Sequence, residues 1–553
     1  MKCCFNKWLR SFLVLVTVVL VLFCTYDWWT LPSVVPATEI SHFSAERAAK
    51  DLEVIAQEPH SVEHPQARSK VRDYLANRLE EMGGTVTIYP FDSIAFRFGG
   101  TYSIGNVYAE FAPQESDPQA YVLFIAHMDS RFRQQVLDKT VYSYGAADDG
   151  YGLAVTLELV RDALLYQADW KQGIKVLFTD SEENDLDGIR KMLEVHPSFL
   201  DRVGLIVNLE ARGVKGPVLL FETSDANARV MDLYAQTAQK PVTYSLTSVV
   251  YRMMPNFTDF TELKTDYPGV NFSCLENINY YHTDLDCFDN INLETIQHYG
   301  TQIEPLLERY MTDAAYADPS ALRGEQDAVF FTLPGLGLIK LTPAQNRCFT
   351  LVTLLLAILA ISLSLKLRVV RAKQLLLKSL WILLWGVGIL VAGEGLVWLL
   401  ARLVGTPFSL TATKFIPMDQ GWFLGSVALL LAAIVGTYLR RGAKREWFAN
   451  ETLCASLIVL SVLGGGMTLA FGENFFFLFP VLVTSVAWVF YLFFDLMLVN
   501  WVALLLNLLL AASFLYNLFI ALTIGAMGVI LFLVFLNALV MVALFVKIIR
   551  LKA

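Results

Sequence analysis

At 553 residues the chain is too long for one ordinary domain, and its 55% hydrophobic content and positive mean hydropathy are high for a soluble protein. A formal net charge of -9, with no basic patch and no aromatic-basic motif, argues against nucleic acid as a partner. The apolar excess is concentrated at Leu9–Tyr26 and from Cys348 onward, in runs long enough to cross a bilayer at ~20 residues per helix; residues 30 to 325 have ordinary globular composition.

Lys2, Lys7 and Arg10 precede the apolar run Ser11–Cys24, which ends in Tyr26-Asp-Trp-Trp29. No small-x-small cleavage site follows, and the Trp pair suits a membrane interface. Residues 1–29 therefore read as a cytoplasmic N-terminus with an uncleaved signal-anchor helix, and the next domain as exported.

Residues 30–325 alternate strands and helices. Ser44–Gln57 and Pro65–Met82 read as helices, the second opened by Pro65 and stopped by Gly83-Gly84. Strands are expected at Thr85–Tyr89, Asn106–Phe111, Tyr121–Ala126, Ile174–Thr179, Val203–Leu209, Pro217–Phe221 and Gly269–Cys274. Helices are expected at Gly152–Tyr166, Ile189–Val195, Asn227–Gln239 and Leu293–Asp313. This is the pattern of an α/β domain with a mixed, largely parallel sheet and flanking helices, whose site lies outside the carboxyl ends of the strands.

Four groups of chemistry-bearing residues fall at such ends. The apolar strand Tyr121–Ala126 runs into His127-Met-Asp129, and Gly145-Ala-Ala-Asp148-Asp149-Gly150-Tyr-Gly152 then opens a helix. The His-x-Asp spacing lets the Asp129 carboxylate approach the imidazole and fix its tautomer. Asp180-Ser-Glu182-Glu183 follows Ile174–Thr179, Asn208-Leu-Glu210 ends Val203–Leu209, and Tyr281-His282-Thr-Asp284 lies just past Gly269–Cys274. Two imidazoles and three carboxylates suit two divalent ions bridged by one carboxylate. Adjacent glutamates divide naturally into one ligand and one general base. Singly, each residue has an ordinary structural explanation, such as a solvated helix start or a tight turn. The joint occurrence carries the reading, since His42, His60, His64, His196 and His298 show no matching strand-end context.

Taken together, His127-x-Asp129, Gly-Ala-x-Asp148-Asp-Gly-x-Gly, Glu182-Glu183, Asn-Leu-Glu210 and Tyr-His282-Thr resemble the M28 family of zinc-dependent peptidases, specifically its membrane-bound branch. The resemblance implies two zinc ions bridged by Asp148. His127 and Glu210 would complete one site and Glu183 and His282 the other, with Glu182 as general base and Asp129 as the partner of His127. It further implies peptide substrates and an aminopeptidase-like activity. Two positions depart from the family pattern: Glu210, where soluble relatives usually carry Asp, and Asp185, where Gly is frequent. Tyr281 is a candidate donor to the oxyanion, and Arg212 and Arg252 are candidate contacts for a substrate carboxylate. Two other readings remain open: an inactive peptidase-like binding module, and a single-zinc aminoacyl cyclase on the same fold.

Residues 326–347 read as a linker into a membrane domain, 348–553, of seven further spans near 348–365, 379–403, 421–439, 449–470, 475–497, 500–522 and 525–546. Basic clusters at Lys366–Lys373, Arg440–Arg445 and Lys547–Lys552 fall after the second, fourth and eighth spans of the whole chain, which puts both termini in the cytoplasm and the peptidase-like domain on the periplasmic or lumenal side. Glu394 is the ionisable group inside a span, and Asn507, Asn517 and Asn537 read as interhelical hydrogen-bonding groups. Cys274 and Cys287, which bracket His282, are either a disulfide or two thiols.

Overall fold

The computed structural model describes residues 12, 15–17, 19–25, 30–114, 117–252, 254, 256–416, 420–442, 446–494 and 497–549. It forms two compact units, Thr30–Ala328 and Met1–Trp29 with Val329–Ala553.

In the first unit one seven-stranded sheet is built from β1 (Thr85–Ala95), β2 (Thr101–Phe111), β3 (Tyr121–His127), β4 (Gly173–Thr179), β5 (Val203–Ala211), β6 (Lys215–Thr223) and β7 (Gly269–Glu276). Their order is β1-β2-β4-β3-β5-β7-β6. The four central strands run parallel, and antiparallel neighbours close both edges. Every residue of β3, β4 and β5 is buried, which is why these strands are near-continuous apolar runs rather than alternating ones.

Helices cover both faces: α1 (Ala45–Ile55), α2 (Pro65–Glu81), α3 (Gly150–Ala163), α4 (Asp187–Val195), α5 (Ala228–Thr237) and α6 (Leu293–Thr312). On one face α3 packs on β3 and β5 and is covered by α1 and α6. On the other, Leu123, Ile125 and Ile206 of the sheet meet Ile189 and Met192 of α4 and Phe260. The alternation of β3 residues between these faces follows from the two-residue repeat of a strand. In the parallel register His127 stands opposite Thr179, and Glu210 opposite Ser273, so the strand ends that carry the chemistry lie side by side.

The expected strands and helices of this unit are all present, each of the seven strands longer than expected. The helix Ser245–Arg252 and the hairpin Gln134–Val136 with Lys139–Val141 were not foreseen. No disulfide joins Cys274 and Cys287. Cys274 is fully buried and its thiol donates to Gly213 O at 3.0 Å, whereas the Cys287 sulfur accepts from Asn290 Nδ2 at 3.4 Å.

In the second unit the stretch expected to be a linker contains an antiparallel hairpin, Val329–Leu333 with Gly337–Leu341. Gly335 and Gly337 supply positive φ for its turn, and Phe331 stacks on Phe475 at 4.6 Å. Among the described residues long helices follow on the apolar runs, α7 (Pro343–Lys366), α8 (Ala372–Val404), α9 (Gln420–Gly442), α10 (Glu446–Phe471), α11 (Phe475–Phe494), α12 (Met497–Leu522) and α13 (Met527–Ile549), with a single short helical turn, Leu410–Thr413, between α8 and α9. Among the described residues five helical stretches are long and apolar enough to cross a bilayer, the last of them joining α12 and α13. Their composition marks the chain as a membrane protein. Glu394 accepts from Gly528 N–H at 3.1 Å, and Asn507 donates to Thr484 across two helices at 3.1 Å. Asn517 and Asn537 each donate to a carbonyl one turn back in their own helix. Residues 15–17 and 19–25 of the expected signal-anchor are helical; residues 1–11 and 26–29, with its basic and tryptophan ends, lie outside the described residues.

Candidate metal centre

A cavity of about 210 Å³ opens at the carboxyl ends of the parallel strands, lined by Asp148, Glu182, Glu183, Glu210, Tyr281 and His282 among others. Beside it His127 ends β3. Its Nε2 faces Asp148 Oδ1 at 3.3 Å and Glu210 Oε2 at 4.0 Å. Its Nδ1 lies 2.9 Å from the main-chain oxygen of Asp129 and 3.6 Å from that residue's carboxylate. The spacing predicts the carboxylate in this place; the main-chain carbonyl is instead the nearer acceptor for Nδ1, and the Nδ1–H tautomer that it favours presents the Nε2 lone pair to the site. The Asp129 carboxylate is turned to the next strand end, where it accepts from the N–H groups of Glu182 at 2.9 Å and Glu183 at 3.3 Å.

Glu182 and Glu183 begin a single helical turn after β4. Ser181 just before them is held in the left-handed region, with φ 64. His282 has the same backbone conformation, also at φ 64, and its ring stacks on Tyr281 at 3.6 Å. Its Nε2 approaches Glu183 Oε1 at 2.8 Å and Asp148 Oδ2 at 3.2 Å. The loop that delivers Asp148 is tied down by Asp286, which carries no obvious sequence signal, and by its neighbour Asp149. Asp286 accepts from Ala147 N–H at 2.7 Å and from Ser143 at 2.9 Å. Asp149 caps α3 through Gly152 N–H at 3.0 Å and also accepts from His127 N–H at 3.2 Å. The cap explains Gly152: a Cβ there would stand 2.3 Å from the Asp149 carboxylate.

Among the described residues two sets offer metal-ligand atoms within 4.8 Å of one another, His127–Asp148–Glu210 and Asp148–Glu183–His282, and Asp148 belongs to both. In the second set Asp148 Oδ2, Glu183 Oε1 and His282 Nε2 are buried, face one another, and have no hydrogen-bond partner among the described residues. Three converging ligand atoms, two of them carboxylate oxygens, fit a cation, because otherwise their lone pairs are desolvated with little compensation.

The two adjacent glutamates are driven apart in acidity. Burial raises the Glu183 carboxyl, but His282 and Arg131 outweigh it and hold the group well below the usual range. Burial raises Glu182 too; His127 opposes, the Glu210 and Glu183 carboxylates add, and the group ends well above it. One carboxylate stays ionised while its neighbour takes up protons readily, the division of labour that a ligand and a base require.

Arg131 and Asp259 also belong to the site and carry no sequence signal. Arg131 donates to Glu183 Oε2 at 2.7 Å, and Asp259 is a buried acceptor for the Thr179 hydroxyl. Asp185 is exposed and pairs with Arg190 at 3.0 Å. Arg212 lines the cavity, whereas Arg252 pairs with Asp225 at 3.6 Å and does not.

The mixed, largely parallel sheet with helices on both faces is like that of zinc aminopeptidases, and the two carboxylate–histidine sets lie at its carboxyl edge. Residues 106–307 match the model of Peptidase family M28, and the chain contains a Peptidase M28 domain. It is 30% identical over 256 residues to endoplasmic reticulum metallopeptidase 1 of Rattus norvegicus, covering 45% of this chain and 27% of that protein. It is 25% identical over 298 residues to the vacuolar membrane protease of Schizosaccharomyces pombe, covering 51% of this chain and 33% of that one. The matched region thus spans about a third or less of these curated relatives. Among solved structures, Porphyromonas gingivalis glutaminyl cyclase aligns at 20% identity with a TM-score of 0.41, covering 49% of this chain and 100% of that one.

Proposed function

We propose that the protein is a membrane-anchored di-zinc exopeptidase, an aminopeptidase, acting on the extracytoplasmic side. The observation that carries the reading is the pair of ligand sets sharing Asp148. His127, Asp148 and Glu210 would hold one zinc, and Asp148, Glu183 and His282 the other. When bound, the pair supplies Lewis acidity toward the scissile carbonyl and lowers the pKa of water near neutrality.

The chain's own residues do the rest. Glu182, with its raised proton affinity, takes the proton from the attacking water and returns it to the leaving amine. Asp129 fixes both glutamates through their main-chain N–H groups. Burial, with the Asp148 and Glu183 carboxylates nearby, raises the Tyr281 hydroxyl well above its usual value, so it stays in the protonated form that a donor to the oxyanion requires. A cavity of about 210 Å³ suits a chain end better than the middle of a folded substrate, and its carboxylates favour a free N-terminal amine.

The orientation follows from charge. Basic residues cluster after α7, α9 and α13, and the loops 405–416 and 472–474 carry little positive charge, as expected if the former are cytoplasmic. Glu182→Gln is the test. It is expected to lose about 10²–10⁴-fold in turnover while retaining two zinc ions per chain by elemental analysis. Near-normal turnover refutes the base assignment, and one zinc per wild-type chain refutes the paired site.

A further inference from the structure

Three arginines line the same cavity as the carboxylates: Arg97, Arg131 and Arg212. Two are engaged. Arg97 donates to the main-chain oxygen of Asn184, and Arg131 donates to Glu183 at both its main-chain oxygen (3.0 Å) and its carboxylate (2.7 Å). Arg212 differs. Its main-chain N–H is locked to β7, donating to Cys274 O at 3.0 Å and Ser273 Oγ at 3.1 Å. Its guanidinium carbon sits 5.5 Å from the centre of the Tyr281 ring, the ring that stacks on His282. Among the described residues that guanidinium makes no ion pair and no hydrogen bond, although carboxylates ring the cavity.

The position is built rather than incidental. Arg212 comes two residues after Glu210 and so starts out on the same side of β5 as that candidate ligand. The aromatic shelf restrains the guanidinium plane and leaves its in-plane donors free. A planar five-donor fork with no partner among the described residues, held over an aromatic face, matches a carboxylate bidentately. With Arg97 and Arg131 already engaged, Arg212 is the lining arginine whose fork is open to a carboxylate.

We propose that Arg212 is the substrate-carboxylate receptor of the site, so that the preferred substrates are short peptides with a negative charge within a residue or two of the scissile bond. This deepens the peptidase reading and rests on it. The charge has two possible sources, the free C-terminus of a di- or tripeptide and an acidic side chain.

Binding is measured by calorimetry on zinc-loaded, full-length Glu182→Gln protein, using Ala-Leu, Ala-Leu-amide and Ala-Glu-amide as probes. At least one carboxylate-bearing peptide is expected to bind roughly ten-fold tighter than Ala-Leu-amide. Preference for Ala-Leu identifies the C-terminus, and preference for Ala-Glu-amide the side chain. Adding Arg212→Met is expected to abolish the difference. Arg212→Lys, which keeps the charge without the fork, is expected to reduce it several-fold and serves if the Met variant does not fold. Equal binding of all three peptides, or a preference that survives both substitutions, overturns the proposal. Failure of the peptidase reading is seen separately, as turnover by the Glu182→Gln protein or a zinc content below two, and the affinity comparison is still read in that case.

Discussion

Asp129→Asn separates the two jobs that the structure gives to Asp129. Its main-chain oxygen holds the His127 imidazole, and its carboxylate holds the N–H groups of Glu182 and Glu183. The amide keeps the main-chain oxygen and the side-chain shape but loses one of the two acceptor oxygens. One charge-assisted hydrogen bond, worth about 1.5–3 kcal/mol, is exchanged for a buried N–H without a partner, costing about 1–3 kcal/mol. These overlap in one measured quantity, so the expected loss is about 1.5–3 kcal/mol. It falls on the turn that carries Glu183, and zinc at the Asp148–Glu183–His282 set should weaken about 10–100-fold, the range for an outer partner of a ligand. Zinc at the His127 set should hold within a few-fold. The assay is zinc titration of chelator-stripped full-length protein, read by elemental analysis, with the thermal midpoint alongside. Equal weakening of both sites refutes the reasoning, because it would mean that the carboxylate orients His127 after all; so would two unchanged sites.

Three other outcomes follow from the geometry. His298 is buried, accepts from Val218 N–H at Nδ1 (3.0 Å), and lies 3.0 Å from Lys240 O at Nε2; burial pushes its pKa down to about 4. Its contribution is therefore complete above the unfolded value of about 6.5 and is lost as pH falls toward 4, about 3 kcal/mol in all. His298→Gln should make the stability of the peptidase unit less dependent on pH across that window, and an unchanged slope refutes this. Gly528→Leu should lower the thermal midpoint of the membrane unit, since a Cβ there would lie 2.2 Å from Leu390 O and 2.8 Å from Glu394 Cγ. Gly395→Leu, which faces open space on α8, should not, and equal effects would contradict this packing. In native protein a thiol reagent followed by peptide mapping should modify the half-buried Cys287 and spare the buried Cys274, whose pKa burial pushes up to about 12; protection of both refutes it.

Much of this protein is legible from its sequence because the relevant physics is local. Unbroken apolar runs such as Tyr121–Ala126 mark buried parallel strands, the Gly-rich segment after Asp148 marks a helix start, and long apolar stretches mark membrane helices. The rule that sites lie at the carboxyl ends of parallel strands then singles out His127, Asp148, Glu182, Glu183, Glu210 and His282. What the tertiary structure alone decided concerns groups whose partners are far away in the chain or whose side-chain direction is set by packing. Sequence spacing places Asp129 near His127, but whether its carbonyl or its carboxylate meets the imidazole depends on where the Glu182 turn, 53 residues on, presents its N–H groups. Asp286 supports the Asp148 loop from 138 residues away, Arg131 reaches Glu183 across 52, and Cys274 turns toward Gly213 in the core rather than toward Cys287. Periodicity carries no information about such contacts, because a side chain's partner is fixed only when the strands have been brought into register and the loops closed over their ends.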